Sequence, residues 1–91
     1  MALPIAPLPT GEVVINGETV VYHSMTRSQA LKLNGFKGAE DAAELFILQC
    51  GTGCTEEDAK AFRDGNDTAT AGRLIDGILI LSGLADADPK A

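Results

Sequence analysis

The dipeptide Asn16-Gly17 constrains this chain more than any other pair of residues. It separates two β-branched runs, Val13-Val14-Ile15 and Thr19-Val20-Val21. A two-residue type I′ turn needs positive φ at both positions, which Asn and Gly tolerate, so residues 12–23 read as a β-hairpin. The short turn also sets the register, pairing Ile15 with Glu18 and Val13 with Val20. Side chains alternate along a strand. Val13, Ile15, Val20 and Tyr22 therefore share one face, and Glu12, Val14, Thr19, Val21 and His23 share the other. A lone hairpin is not stable in water, so the first face has to dock on the remaining chain.

That remainder reads as helices divided by caps and glycines. Thr26 and Gln29 fit a capping box, with Met25 placed to staple onto Ala30, and Asn34-Gly35 ends a helix of about two turns. A second helix runs from about Gly38 to Cys50. At roughly 100° per residue, Ala39, Ala42, Ala43, Phe46 and Cys50 form its core stripe, with Glu40, Asp41 and Glu44 on the other side. Thr55 caps a third helix that closes at Asp64-Gly65. A fourth spans about Thr68 to Ser82, following Asp67 and stopping at Gly83, with Ala71, Leu74, Ile75, Ile78 and Leu81 facing the core. The fold class is therefore mainly α (α+β), an N-terminal β-hairpin packed on about four short helices. A single domain of 91 residues is expected: a Pro-rich arm over 1–11, the hairpin over 12–23, a helical region over 26–83 and a short acidic tail over 84–91. The arm carries Pro4, Pro7 and Pro9, which favour extended backbone.

Composition narrows the function. Much of the apolar share is alanine, and the aromatics are Tyr22, Phe36, Phe46 and Phe62. A core of this kind gains little area per residue, which predicts marginal stability and self-association. The formal charge of -6 and seven scattered basic residues oppose binding to a phosphate backbone, so no nucleic-acid partner is expected. No apolar run has the length of a membrane span, and the proline-rich start does not read as a secretion signal. A cytosolic chain with reduced cysteines is the expectation.

Residues that could carry chemistry have structural readings beside them. Cys50 and Cys54 flank Gly51-Thr52-Gly53. Cys50 falls on the core stripe at a helix end, where the dipole opposes a thiolate, and a structural zinc would lack its four ligands. A seam between two helices is the favoured reading, with a redox pair or metal clasp as the alternative. His23, the sole histidine, lies on the outer strand face without a local acid and nucleophile, which reads as a surface or interface position. Glu56, Glu57 and Asp58 occupy a helix first turn, where acids are stabilised regardless of function. The Gly-Thr-Gly stretch follows a helix and precedes no lysine, unlike a phosphate cradle. An acyl carrier protein would show Asp-Ser-Leu at a helix start, and this chain has none. No enzyme, cofactor or metal is expected. What remains is surplus apolar surface. Val14 and Val21 on the second hairpin face, Leu45 and Leu48 beside the acidic side of the second helix, and Ile80 opposite the last helix's stripe are the candidate protein-binding residues.

The layout resembles the small tail assembly chaperones of long-tailed, siphovirus-type bacteriophages. The matching pieces are Thr26-Arg27 with Ala30-Leu31, the segment Thr55 to Phe62, and Ile78 to Leu84, within residues 20–84. The resemblance implies a non-enzymatic role: coating the tape measure protein, helping to recruit tail tube subunits, and absence from the mature virion. It implies a host-cytoplasmic, self-associating protein, with a longer frameshifted form in many members. A small structural tail or connector component of the virion is the rival reading, and a thiol or metal-binding protein a third.

Overall fold

Asn16 and Gly17 adopt φ of 52° and 81°, the paired positive values that a type I′ turn requires. In the computed structural model, which describes residues 3–85, this turn joins β1 (Thr10–Ile15) to β2 (Glu18–His23). Four helices follow: α1 (Arg27–Leu33), α2 (Glu40–Thr52), α3 (Glu56–Gly65) and α4 (Thr68–Leu81). The architecture is the hairpin-plus-four-helix arrangement read from the sequence. Pairing is antiparallel with Ile15 opposite Glu18 and Val13 opposite Val20, and it extends outward to Thr10 opposite His23. The strand thus starts two residues inside the segment read as arm. Most of the proposed acidic tail, residues 86–91, lies outside the described residues.

Three of the four helices, α1, α3 and α4, begin where a side chain satisfies free backbone amides. Thr26 Oγ1 accepts from the Gln29 amide at 3.2 Å while Gln29 Oε1 accepts from the Thr26 amide at 2.9 Å, completing the capping box. Thr55 Oγ1 accepts from the Asp58 amide at 3.1 Å, and Asp67 Oδ1 from the Thr70 amide at 2.8 Å. α2 is the exception. Its cap, Ala39, offers no side-chain acceptor, and Glu40 and Asp41 in the first turn supply negative charge instead. α1 ends at Asn34, its C-cap, as the Asn34-Gly35 stop predicts, although Asn34 stays right-handed. The chain tightens into one 3-10 turn, Asn34–Phe36, and reverses at Gly38 with φ of 83°. The tight turn carries Phe36 onto α2, where its ring lies 5.1 Å from that of Phe46.

The core is assembled from Ile15 of β1, Met25 of the connection into α1, Ile47, Leu48 and Cys50 of α2, Ala59 of α3, and Leu74, Ile75 and Ile78 of α4. Two close approaches hold it together. Gly51 is helical and buried, and a Cβ there would meet Ile78 Cγ1 at 2.6 Å. A Cβ on Gly77 would lie 2.6 Å from Tyr22 Oη, and one on Gly11 2.8 Å from the same ring. The Tyr22 ring therefore sits between two glycines, which is how the hairpin reaches α4. Of the two glycines available to end α2, Gly53 adopts the left-handed conformation, with φ of 77°.

The core stripe predicted for α2 is corrected. Ala39 and Ala42 are exposed, Ala43 and Phe46 are half-buried, and burial concentrates at Ile47, Leu48, Cys50 and Gly51. At about 100° per residue these four residues fall within about 160° of one another, a single wide face turned roughly 100° from the predicted stripe. The cause is position. α2 packs against α1, α3, α4 and β2, so the placement of these neighbours, rather than the alanine stripe, sets which face is covered. α4 follows its predicted face, with Ala71, Leu74, Ile75 and Ile78 buried and Leu81 half-buried. No helix among the described residues is long and apolar enough to cross a membrane.

Candidate interaction surface

The outer hairpin face is built by strand alternation alone. Val14 pairs with Thr19 and Val21 with Glu12, so the two valines lie diagonally on the face opposite Tyr22 and Ile15. They are 56% and 57% exposed. Ile80, on α4 between the half-buried Leu79 and Leu81, is also exposed. These three occupy the outward positions predicted for them.

Leu48 and Leu45 do not. Leu48 is 1% exposed and among the most deeply buried side chains. It forms the floor of an apolar cleft of about 220 Å³ walled by Val20, Cys54, Ala59, Phe62 and Leu74. Leu45 is half-buried and packs on the core cluster. Leu48 lies on the covered face of α2 and is removed from the set of surface contacts.

Sequence reasoning missed other exposed residues. Leu31 and Leu84 are exposed, as are Leu3, Ile5 and Leu8 on the arm. A signal existed for two of them. Leu31 and Leu33 are two positions apart, nearly opposite on a helix too short to bury both sides. Leu84 follows the left-handed Gly83, whose amide bonds the Ile80 carbonyl while the Leu84 amide bonds the Leu79 carbonyl at 2.9 Å. That is a Schellman end, whose usual companion is an apolar contact between these flanking residues. Among the described residues, eight large aliphatic side chains are exposed, against seven large apolar ones buried. A domain that maximised its own core would reverse that balance.

The two thiols are free and lie where α2 ends. Cys50 is buried, and desolvation pushes its pKa up, opposed by the charge of Lys32. Cys54 is half-buried. Its amide donates to Thr52 Oγ1 at 3.3 Å, and that hydroxyl donates to the Leu48 carbonyl at 2.7 Å. Their surroundings are those of packing side chains at the α2–α3 seam. Among the described residues, no group of three or more His, Cys, Asp and Glu side chains is placed to hold a metal ion. His23 is half-buried rather than fully outward. Its Nδ1 lies 2.9 Å from the Ser24 carbonyl, so that nitrogen donates.

Two polar links fix the hairpin to α4 and α3 to α2. The Met25 amide donates to Ser82 Oγ at 2.8 Å across 57 positions, and Ser82 in turn donates to the Ile78 carbonyl at 2.7 Å. Arg63 Nη1 donates to the Asp41 carbonyl at 3.1 Å, and its Nε pairs with Asp64 at 3.1 Å. The Arg63 pairs involve exposed carboxylates and add little to stability. No protein-family model matches the chain, and no curated protein or solved structure is significantly similar to it.

Proposed function

We propose that the chain is a non-catalytic assembly chaperone of the kind that long-tailed bacteriophages use to build their tails. In this reading it covers apolar helical surface on the tape measure protein, helps recruit tail tube subunits, and departs before the particle is complete. The observation that carries the reading is the surplus of exposed aliphatic side chains, including Val14, Val21 and Ile80, on a body of net charge -6. Apolar contacts of that kind cover a greasy partner, while the charge keeps the free protein dispersed. The segments behind the family resemblance also coincide with structural devices: the Thr26 and Thr55 caps and the Schellman end at Gly83-Leu84.

The test is co-expression with the tape measure protein, followed by capture of that partner. Val14→Asp with Val21→Asp removes the apolar outer face without touching the core, and capture should fall at least tenfold. Wild-type capture by the double variant, with Ile80→Asp added, rejects the reading. Mass spectrometry of purified particles separates the rival: a tail or connector subunit stays in the virion, and a chaperone is missing from it.

A further inference from the structure

The arm and the helical body each present an apolar feature that lacks cover. On the arm, Leu3 and Ile5 are 83% and 94% exposed. On the body, a groove of about 410 Å³ runs between α1, the start of α2 and the end of α4. Its apolar walls are Leu33, Phe36, Ile47, Leu79 and Leu84, and Lys37 and Glu40 stand at its rim. We propose that two copies of this chain trade arms, residues 3–9 of each lying in the groove of the other. The inference is independent of what binds the outer hairpin face.

Three observations select this occupant. The first is charge. Every acidic and basic side chain lies at Glu12 or beyond, so the arm carries none of the charge that sums to -6. Two acidic bodies repel on direct approach, whereas an uncharged strap can join them at a distance. The second is stiffness. Pro4, Pro7 and Pro9 hold the segment extended, at about 3.1 Å per residue in polyproline geometry, so little chain entropy is lost when it docks. The Pro9 carbonyl accepts from the Ser24 amide at 3.0 Å, which anchors the strap where it leaves the hairpin. The third is the groove's chemistry. Proline-rich segments dock on aromatic-lined grooves, and Phe36 is held in this wall by its contact with Phe46. Leu84 is held there by the Schellman hydrogen bonds at the end of α4. The volume lies within the range of formed binding sites. Within one chain the arm stays uncovered, so the groove's occupant comes from the second copy.

Analytical ultracentrifugation of the full chain across a concentration series tests the exchange. The wild type should reach the mass of two copies and no more, because reciprocal exchange closes. Ile5→Asp, on the arm and outside the folded body, should weaken dimerisation at least tenfold, as should Leu84→Asp in the groove. Mixing the two variants should recover a dimer, since one intact arm then meets one intact groove. The proposal is overturned by a wild type that stays monomeric or grows past two copies, or by an Ile5→Asp chain that dimerises normally. It is equally overturned by a mixture of folded variants that does not recover. Circular dichroism confirms folding, and if Leu84→Asp unfolds, Ile5→Asp alone decides.

Discussion

Replacing Gly51 by alanine is the sharpest probe of how this chain packs. In a helix interior the change normally stabilises by about 0.8–1 kcal/mol. At Gly51 the new methyl would meet Ile78 Cγ1 at 2.6 Å and Cγ2 at 2.9 Å, and would press on Cδ1. Ile78 has no exposed surface, and β-branching leaves it one strongly preferred rotamer in a helix. It cannot swing aside, so α2 and α4 must separate, and overpacking of this kind costs about 1–3 kcal/mol. Gly72 is the control. It lies in α4, and the nearest atom to an added Cβ is Asp76 Oδ2 at 3.9 Å. Gly72→Ala should raise the melting temperature, and Gly51→Ala should fall below that control by about 1–3 kcal/mol. For a domain of this size each kcal/mol moves the melting temperature by about 4–8 °C, so calorimetry or thermal circular dichroism resolves the gap. Combining Gly51→Ala with Ile78→Ala should abolish the penalty, because the methyl then enters vacated space. A Gly51→Ala chain that stabilises as much as Gly72→Ala would refute the close approach.

Ser82→Ala leaves the Met25 amide without its acceptor and should cost about 1–3 kcal/mol in urea unfolding, with faster hydrogen exchange at that amide. Cys54 should react with a maleimide well before Cys50, which is buried with its pKa raised chiefly by desolvation. Because the folded pKa of Cys50 exceeds the unfolded one, its stabilising effect is complete below about pH 8.5 and lost as pH rises above that. Cys50→Ala should flatten this alkaline limb in melts taken from pH 8 upward. Asp67 has its pKa lowered by the Thr70 hydrogen bonds, first the side chain and then the backbone. Its contribution is complete above the unfolded value of about 3.9 and lost as pH falls through the lower folded one. Asp67→Asn should make melting less sensitive to pH between 5 and 2.

The hairpin, the caps and the face of α4 were legible because short-range rules govern them. Asn16-Gly17 sets a turn, Thr26, Thr55 and Asp67 accept from amides three residues on, and α4 has one solvent side. α2 was illegible for the opposite reason. Its covered face is chosen by neighbours distant in sequence, and that face is turned roughly 100° from the stripe that the alanines and Phe46 suggest. That is why Leu48, placed outside by periodicity, lies at the centre. The groove of the arm proposal was hidden for a related reason. Leu33, Ile47 and Leu79 come from three helices, and the 3-10 turn that follows the Asn-Gly stop delivers Phe36 onto Phe46.

The glycine contacts also bear on how the proposed binding face works. α4 touches α2 where Ile78 covers Gly51, and it touches the hairpin where Tyr22 covers Gly77. The Met25–Ser82 hydrogen bond ties the strand exit to the same helix. A hairpin held at these points has one orientation, although two strands alone would have none. Val14 and Val21 are thereby carried on a rigid support rather than on a loose ribbon. A rigid apolar face binds with less ordering cost than a flexible one. The residues that make the outer face usable are thus glycines and a serine that never reach it.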